Sequence, residues 1–237
     1  MKYSIHKDIF ESYPDLRVGL VVGRNLKVGK DSRLLGEVID NNIAVFLDRV
    51  DGLNLTDISN IHAWREAYKS MGVSPSKCRP TAESLLRRVL KKKSFPRINN
   101  AVDAYLAVEL LSFLPVGGYD LSKVNGDVYL RRSLGAERFR ALGQAEDELT
   151  DKEEIIYSDD VSVLTRRWNY RDADHVGISE ETENIILASE AVYSTISDAD
   201  LKFSIEKITE YEEKFCGGAY ETYFLNSEVN EIDFYYP

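Results

Sequence analysis

Three stretches of this 237-residue chain combine residue types that are costly to place and able to do chemistry. The first runs Trp64-Arg65-Glu66-Ala67-Tyr68-Lys69-Ser70-Met71-Gly72 and continues through Arg79-Pro80-Thr81-Ala82-Glu83. The second is Ile98-Asn99-Asn100-Ala101-Val102-Asp103, followed by Leu114-Pro115-Val116-Gly117-Gly118-Tyr119-Asp120. The third is Arg166-Arg167-Trp168-Asn169-Tyr170-Arg171-Asp172, where guanidinium forks alternate with flat rings. That mixture suits phosphate contact and base stacking. It also suits a strand with Trp168 and Tyr170 packed inward and Arg167, Asn169 and Arg171 on the opposite face.

The carboxylates and glycines admit two uses each. Asp103 and Asp120 can orient a water or an amino group, or cap a helix and bond loop amides. Glu109 stands mid-helix beside Tyr105 and Leu106, either facing a cleft as a base or amine-binding group or lying on a solvated edge. Gly117 and Gly118 either let backbone N–H groups approach a ligand, having no Cβ, or make a tight turn after Pro115. Arg87, Arg88 and Lys91 to Lys93 form the densest basic cluster, a solvated helix end or a contact for phosphates. Arg79 and Glu83 can form an ion pair at that helix start. His175 lies near a motif without a visible partner, so a surface role is expected.

The elements that must hold these residues follow from periodicity. Residues 17–28 open as a buried strand, Arg17-Val18-Gly19-Leu20-Val21-Val22-Gly23. Helical spacing predicts helices over about 33–48, 58–71 and 99–113, the last carrying a stripe of Val102, Leu106, Leu110 and Phe113. Thr81 can cap a further helix, with Glu83 in its first turn. Short β-type runs separated by Gly, Asn and Asp fill residues 114–164. Two more helices are predicted over about 180–193 and 199–215. Ser197 and Asp200 have capping-box spacing for the second, and Gly217-Gly218 stops it. The aromatic tail, Phe234-Tyr235-Tyr236, either packs or hangs loose. Helices, then strands, then helices imply an α+β class.

In this order the three stretches resemble the B3/4 domain family: the tRNA-editing domain of the phenylalanyl-tRNA synthetase β subunit and its free-standing bacterial relatives. The resemblance runs from about residue 58 to 192. It is closest to the free-standing branch, whose pattern includes a Pro-Val-Gly-Gly-x-Asp loop and an Arg-Trp-Asn-aromatic-Arg segment. It implies a three-layer β/β/α arrangement, one domain over 1–237 with added helical elements at both ends, and a cleft for the acylated 3′ end of tRNA. The implied reaction is aminoacyl-tRNA deacylation by water, and not aminoacylation. On that basis Asp120, Asn169 and Glu109 are candidate catalytic groups. Asn99, Asp103, Gly117, Gly118, Tyr119, Arg167 and Arg171 are candidate substrate contacts, and Arg79, Arg87, Arg88 and Lys91 candidate tRNA-phosphate contacts. The synthetase domain hydrolyses tyrosine wrongly esterified to the phenylalanine tRNA; Gly117 stands where it ordinarily has a histidine, and Tyr105-Leu106 where it has a Thr-Asn pair, so tyrosine specificity is not carried over.

Composition bounds the partners. Thirty Lys and Arg against forty Asp and Glu give a formal charge of −10, opposite in sign to a protein that holds long nucleic acid. Brief contact with one tRNA end through a local basic patch is expected, or with a free amino acid or similar small ligand. Cys78 and Cys216 fit neither a disulfide framework nor a zinc pattern, so free thiols, no metal and no cofactor are expected. The first residues lack the apolar run of a signal peptide and no stretch is long enough to span a membrane, so a cytoplasmic location without membrane contact is expected.

Overall fold

Residues that alternate between two apolar environments set the layers of this protein. The computed structural model describes residues 1–92 and 94–236. In chain order the elements are β1 (Lys2–Ile5), α1 (Lys7–Ser12), β2 (Arg17–Arg24), α2 (Arg33–Arg49), α3 (Ser59–Ser70), α4 (Thr81–Lys92) and α5 (Asn100–Ser112). Then come β3 (Val116–Asp120), β4 (Val128–Arg132), β5 (Arg138–Phe139), β6 (Glu148–Leu149), β7 (Ile155–Ser158), β8 (Val163–Arg166) and β9 (Arg171–Asp172). The chain closes with β10 (Asn184–Ala191), α6 (Asp198–Cys216), β11 (Ala219–Leu225) and β12 (Glu231–Asp233).

One sheet has the order β12-β1-β4-β7-β8-β9, a second β11-β2-β10-β3, and β5 pairs with β6. On β2, Leu20 and Val22 pack toward the six-stranded sheet, joining Ile5, Leu130, Ile156 and Ile186. Val21 points the other way and joins Ile185, Leu187 and the helical residues Leu35, Ile39, Val108 and Ile205. Successive side chains on a strand face opposite sides, so β2 and β10 are buried on both faces. The result is the expected α+β class with layers β/β/α. A third cluster, Phe46, Ile61, Leu86, Val89, Leu110 and Phe113, ties α2, α3, α4 and α5 together.

Local chemistry marks the helix ends. The Asn99 side chain accepts from Val102 N–H at 2.9 Å and opens α5. Ser197 and Asp200 form the reciprocal capping box of α6, which Gly217 closes at φ 63°. Removing the Ser197 hydroxyl in Ser197→Ala should cost about 1 kcal/mol, read as a shift in the urea midpoint at unchanged slope.

Several expectations are corrected. The predicted helix over 180–193 is largely β10, paired with β2 on one side and β3 on the other. Its Ile185-Ile186-Leu187 run serves two cores at once, and burial on both faces erases the period-2 signature. Gly117 and Gly118 lie in β3 rather than in a loop. Residues 166–171 do not form one strand: Arg167 and Trp168 take positive φ of 49° and 68°, and the chain turns there. Asn169 therefore does not share a strand face with Arg167 and Arg171. Glu83 pairs with Arg65 at 2.8 Å and Arg87 at 2.7 Å, not with Arg79. Lys93, part of the basic cluster, falls outside the described residues. The aromatic tail packs in part: β12 before it pairs antiparallel with β1 and Phe234 is buried, while Tyr235 is exposed.

Gly118 is required where it stands. A Cβ there would lie 2.2 Å from Leu187 Cδ2 and 2.7 Å from the Ile186 carbonyl oxygen. At Gly117 the nearest atom to such a Cβ is Asp172 Oδ1, at 3.9 Å. Gly118→Ala should therefore lose about 2 kcal/mol in denaturant unfolding, while Gly117→Ala leaves stability nearly unchanged.

Candidate functional site

Small residues opposite one another leave space inside a sandwich. Gly117 of β3 pairs with Ala188 of β10, and both border a cavity of about 70 Å³ between the two sheets. That volume accommodates several waters or a small organic group. Rings from Tyr3, Tyr119, Tyr157 and Trp168 supply much of its wall.

One end of the cavity is organised by Glu190 of β10, a buried carboxylate. Its Oε1 accepts from Trp168 Nε1 at 2.7 Å and from the Tyr157 hydroxyl, and its Oε2 accepts from Asn169 Nδ2 at 3.2 Å. The Tyr3 hydroxyl donates to Tyr157 Oη at 2.9 Å. Burial pushes the Glu190 carboxyl above its usual range, and the three donors pull against that.

A second polar chain crosses the wall. Tyr119 Oη and Thr165 Oγ1 are 2.5 Å apart, and the Thr165 hydroxyl donates to Asp172 Oδ1 at 2.6 Å. With the Thr165 proton committed to Asp172, Tyr119 is the donor in the first bond. Asp172, half-buried on the cavity wall, takes no hydrogen bond at Oδ2 from the described residues. Burial pushes its carboxyl up to about 6, against the Thr165 bond, which favours the ionised form. A carboxylate with one tethered oxygen, one open oxygen and a pKa near 6 can accept a proton from a bound water at neutral pH.

The turn between β8 and β9 carries the rest, and α3 holds it. Trp168 is fully buried, with its ring 5.1 Å from Trp64 and 4.8 Å from Tyr13, edge-on to both. The Tyr68 hydroxyl lies 2.8 Å from both the Arg167 carbonyl oxygen and Asn169 Oδ1. Trp168 N–H donates to the Ile155 carbonyl at 2.7 Å. These contacts offset the cost of two non-glycine residues at positive φ, about 1–3 kcal/mol each. The first and third sequence stretches are thus one assembly: Trp64 and Tyr68 position Trp168 and Asn169. Tyr170 and Arg171 stand at the rim, the guanidinium 5.0 Å from the Tyr170 ring centroid. Thr81, first residue of α4, also borders the cavity and donates its N–H to the Asn169 carbonyl at 3.2 Å.

Of the residues singled out in the sequence, Gly117, Tyr119, Asn169 and Arg171 line this cavity. Gly118 lies in the adjacent register position facing Leu187. Asp120 is tied down by Ser122, Thr182 and Lys123. Asn99 caps α5 and also bonds the Ile178 carbonyl. Asp103 accepts from Ile98 N–H at 2.9 Å. Glu109 occupies neither a cleft face nor a solvated edge: it is fully buried, with Oε1 accepting from Val116 N–H at 2.7 Å and Oε2 unpartnered. Burial pushes its carboxyl well up. Arg167 faces away from the cavity toward Cys78 Sγ, at 2.7 Å, and Asp151. Arg79 is half-buried, Arg87 is held by Glu83, and Arg88 and Lys91 are exposed along α4. Cys78 and Cys216 are free thiols, and His175 shares a hydrogen bond with Ser162 at the surface. Among the described residues no group of three His, Cys, Asp or Glu side chains is placed to hold a metal, and no helix is long and apolar enough to cross a membrane.

Thr165, Tyr157, Tyr3 and Glu190 are cavity residues that the sequence did not single out, and Asp172 was given no role there. Asp172 does close the Arg-Trp-Asn-Tyr-Arg-Asp run, which is the one local signal for it. Glu190 sits in the segment expected to be helical, where it had no reason to face a cavity.

A β/β/α sandwich with an acid-bearing cavity between its sheets is the class these features define. The B3/4 domain family model matches residues 63–215, and this chain belongs to that family. The chain is also similar to the crystal structure of an N-terminal fragment of the phenylalanyl-tRNA synthetase beta-subunit from Pyrococcus horikoshii. That likeness has a TM-score of 0.47 and 11% identity, and covers 92% of this chain and 49% of that one. This chain thus spans about half the length of the solved chain. No curated protein sequence matches it.

Proposed function

We propose that this protein hydrolyses the ester of mischarged aminoacyl-tRNA in trans, with residues 1–237 acting as one domain. The observation that carries this reading is Asp172, which lines a cavity walled by rings and hydroxyls, with one carboxylate oxygen held by Thr165, the other without a hydrogen bond, and its pKa raised by burial. A water held on Asp172 Oδ2 attacks the ester carbonyl carbon. Its proton passes to Asp172, the bond from that carbon to the ribose oxygen breaks, and the leaving alcohol takes the proton. The acyl side chain enters toward Tyr119 and Tyr157, and Gly117 and Ala188 leave the room for it. Tyr170 and Arg171 offer a ring and a guanidinium to the terminal adenosine. Membership of the B3/4 family, with the motif resemblance to the synthetase editing domain, supports tRNA as the carrier of the ester.

Helix α4 begins at the cavity with Thr81 and carries the exposed Arg88 and Lys91 further along. Lys91 lies roughly 15 Å along the axis from Thr81 at 1.5 Å per residue, a suitable distance for phosphates behind the acylated end. Arg88→Glu with Lys91→Glu should weaken tRNA binding by about tenfold and flatten its salt dependence. Hydrolysis of a small aminoacyl ester should be unaffected.

The test is release of amino acid from a panel of correctly and incorrectly charged tRNAs at low salt. Enzyme-dependent release from one mischarged species supports the assignment and identifies the substrate. No release, with free amino acid shifting the melting temperature instead, supports a second reading: a non-catalytic amino-acid-binding module. The small cavity and the net charge of −10 favour that alternative over a module that holds tRNA.

A further inference from the structure

A sheet edge exposes unpaired N–H and C=O groups, and proteins ordinarily blunt such edges with short strands, Pro, Lys or bulges. The six-stranded sheet follows that rule, ending in β9, of two residues, and β12, of three. Strand β11 does not. It has seven residues, Ala219-Tyr220-Glu221-Thr222-Tyr223-Phe224-Leu225, with neither Pro nor Lys. It pairs with β2 in unbroken register along one side only, as the end strand of its sheet. Thr222 and Glu221 are exposed, and Phe224 keeps 48% of its surface in solvent. Beside the strand, against α6, runs a groove of about 390 Å³ bordered by Thr222, Phe224 and Ile205.

We propose that β11 is a homodimer edge, pairing antiparallel with β11 of a second copy about a two-fold axis at Thr222. The strand is complementary to its own reverse. In that register Thr222 faces Thr222 of the other copy, Tyr220 faces Phe224, Glu221 faces Tyr223 and Ala219 faces Leu225. Thr–Thr and aromatic–aromatic pairs favour antiparallel pairing, and no like charges meet along the strand. The helix beside the strand agrees at its ends. Its groove-side charges run Lys202, Glu206, Glu210, Glu213, basic at the start and acidic toward the end. A two-fold axis that reverses one α6 against the other brings Lys202 of each copy toward Glu213 of its mate, and it sets Glu206 toward Glu210, so the helix ends attract while their acidic middles repel. A self-complementary surface is what an isologous interface requires. Pairing there would extend the four-stranded sheet to eight strands. It leaves both cavities open, because β3, which borders the cavity, is the opposite edge of the sheet.

Sedimentation equilibrium over a concentration series tests this with the full chain. The wild type should show a reversible monomer–dimer equilibrium. Thr222→Lys sets two ammonium groups opposite each other and should raise the dimer dissociation constant at least about tenfold, with an unchanged far-UV spectrum. Lys202→Glu should weaken the dimer and the added Glu213→Lys should restore it. Thr222→Cys should form a covalent dimer on mild oxidation where the wild type, with Cys78 and Cys216 only, does not. A wild type that stays monomeric at all concentrations overturns the proposal. So does a dimer that Thr222→Lys leaves intact, which would put the interface elsewhere.

Discussion

Asp172→Asn should lower ester hydrolysis by about a hundredfold to ten-thousandfold, the range for loss of a positioned general base, while leaving the fold intact. The asparagine oxygen can still accept from the Thr165 hydroxyl, so the wall keeps its one hydrogen bond at that point. What disappears is a group that takes a proton. The pH profile separates this from a loss of packing. Asp172 must be ionised to act, and burial sets its pKa at about 6. Activity should therefore be level above that value and fall about tenfold per unit below it, and Asp172→Asn should lack that limb. Thr165→Val supplies a directional check. Its hydroxyl favours the ionised carboxylate, so removing it should move the inflection to higher pH. An Asp172→Asn protein that retains most of its rate, or a wild-type rate indifferent to pH between about 5 and 7, would move catalysis away from this residue.

The same shift carries an opposite consequence for stability. The folded pKa lies above the usual value for aspartate, so the folded state binds the proton more tightly than the unfolded chain does. The contribution of Asp172 to stability is therefore unfavourable above about pH 6 and improves as pH falls from there toward the ordinary range of about 4. Asp172→Asn should be no less stable than wild type at pH 7. A site that trades stability for a usable pKa is expected to show this pattern.

How much of this could be seen in the sequence depends on the range of the interactions involved. Helices α2, α3, α5 and α6 were legible because their stripes and caps are written within one or two turns, as with the Ser197–Asp200 pair, whereas Asn99, read as a substrate contact, is the cap of α5. The association of Trp64 and Tyr68 with Trp168 and Asn169 was legible only as three unusual stretches in one chain; their contact spans a hundred residues. The pairing of β1 with β12, at Lys2 and Asp233, joins the two ends of the chain and leaves no local trace. Strand β10 was misread because it serves two cores, and with it went Glu190. The bias toward Asp120 and Glu109 has a related origin. Both carboxylates are buried, but one is spent on Ser122 and Thr182 and the other on Val116 N–H. Burial alone did not single out Asp172, which lines the cavity where Asp120 and Glu109 do not.

Glu190→Ala should be the most destabilising single substitution at the site, costing about 3–5 kcal/mol and roughly 10 °C in melting temperature. It removes one acceptor group shared by three buried donors: Trp168 Nε1, the Tyr157 hydroxyl and Asn169 Nδ2. Each orphaned donor keeps its desolvation cost without a partner. Glu190→Gln should behave very differently. Its amide oxygen still accepts from Trp168 and Tyr157, while its new NH2 group faces Asn169. A half-turn of the Asn169 amide presents Oδ1 to that group and Nδ2 to the Tyr68 hydroxyl. Tyr68 can accept there because its own proton can go to the Arg167 carbonyl, 2.8 Å away. Every donor in the chain then has an acceptor, and no charge is buried. Glu190→Gln should lie within about 1 kcal/mol of wild type near pH 7. It should also lose the share of pH dependence that a raised carboxyl contributes, a gain in stability as pH falls through the folded pKa toward the usual glutamate range. Urea unfolding of both variants at two pH values decides the matter. Equal losses for Ala and Gln would mean that the charge itself holds this end of the cavity together. A large loss for Ala alone means that the hydrogen-bond acceptor does.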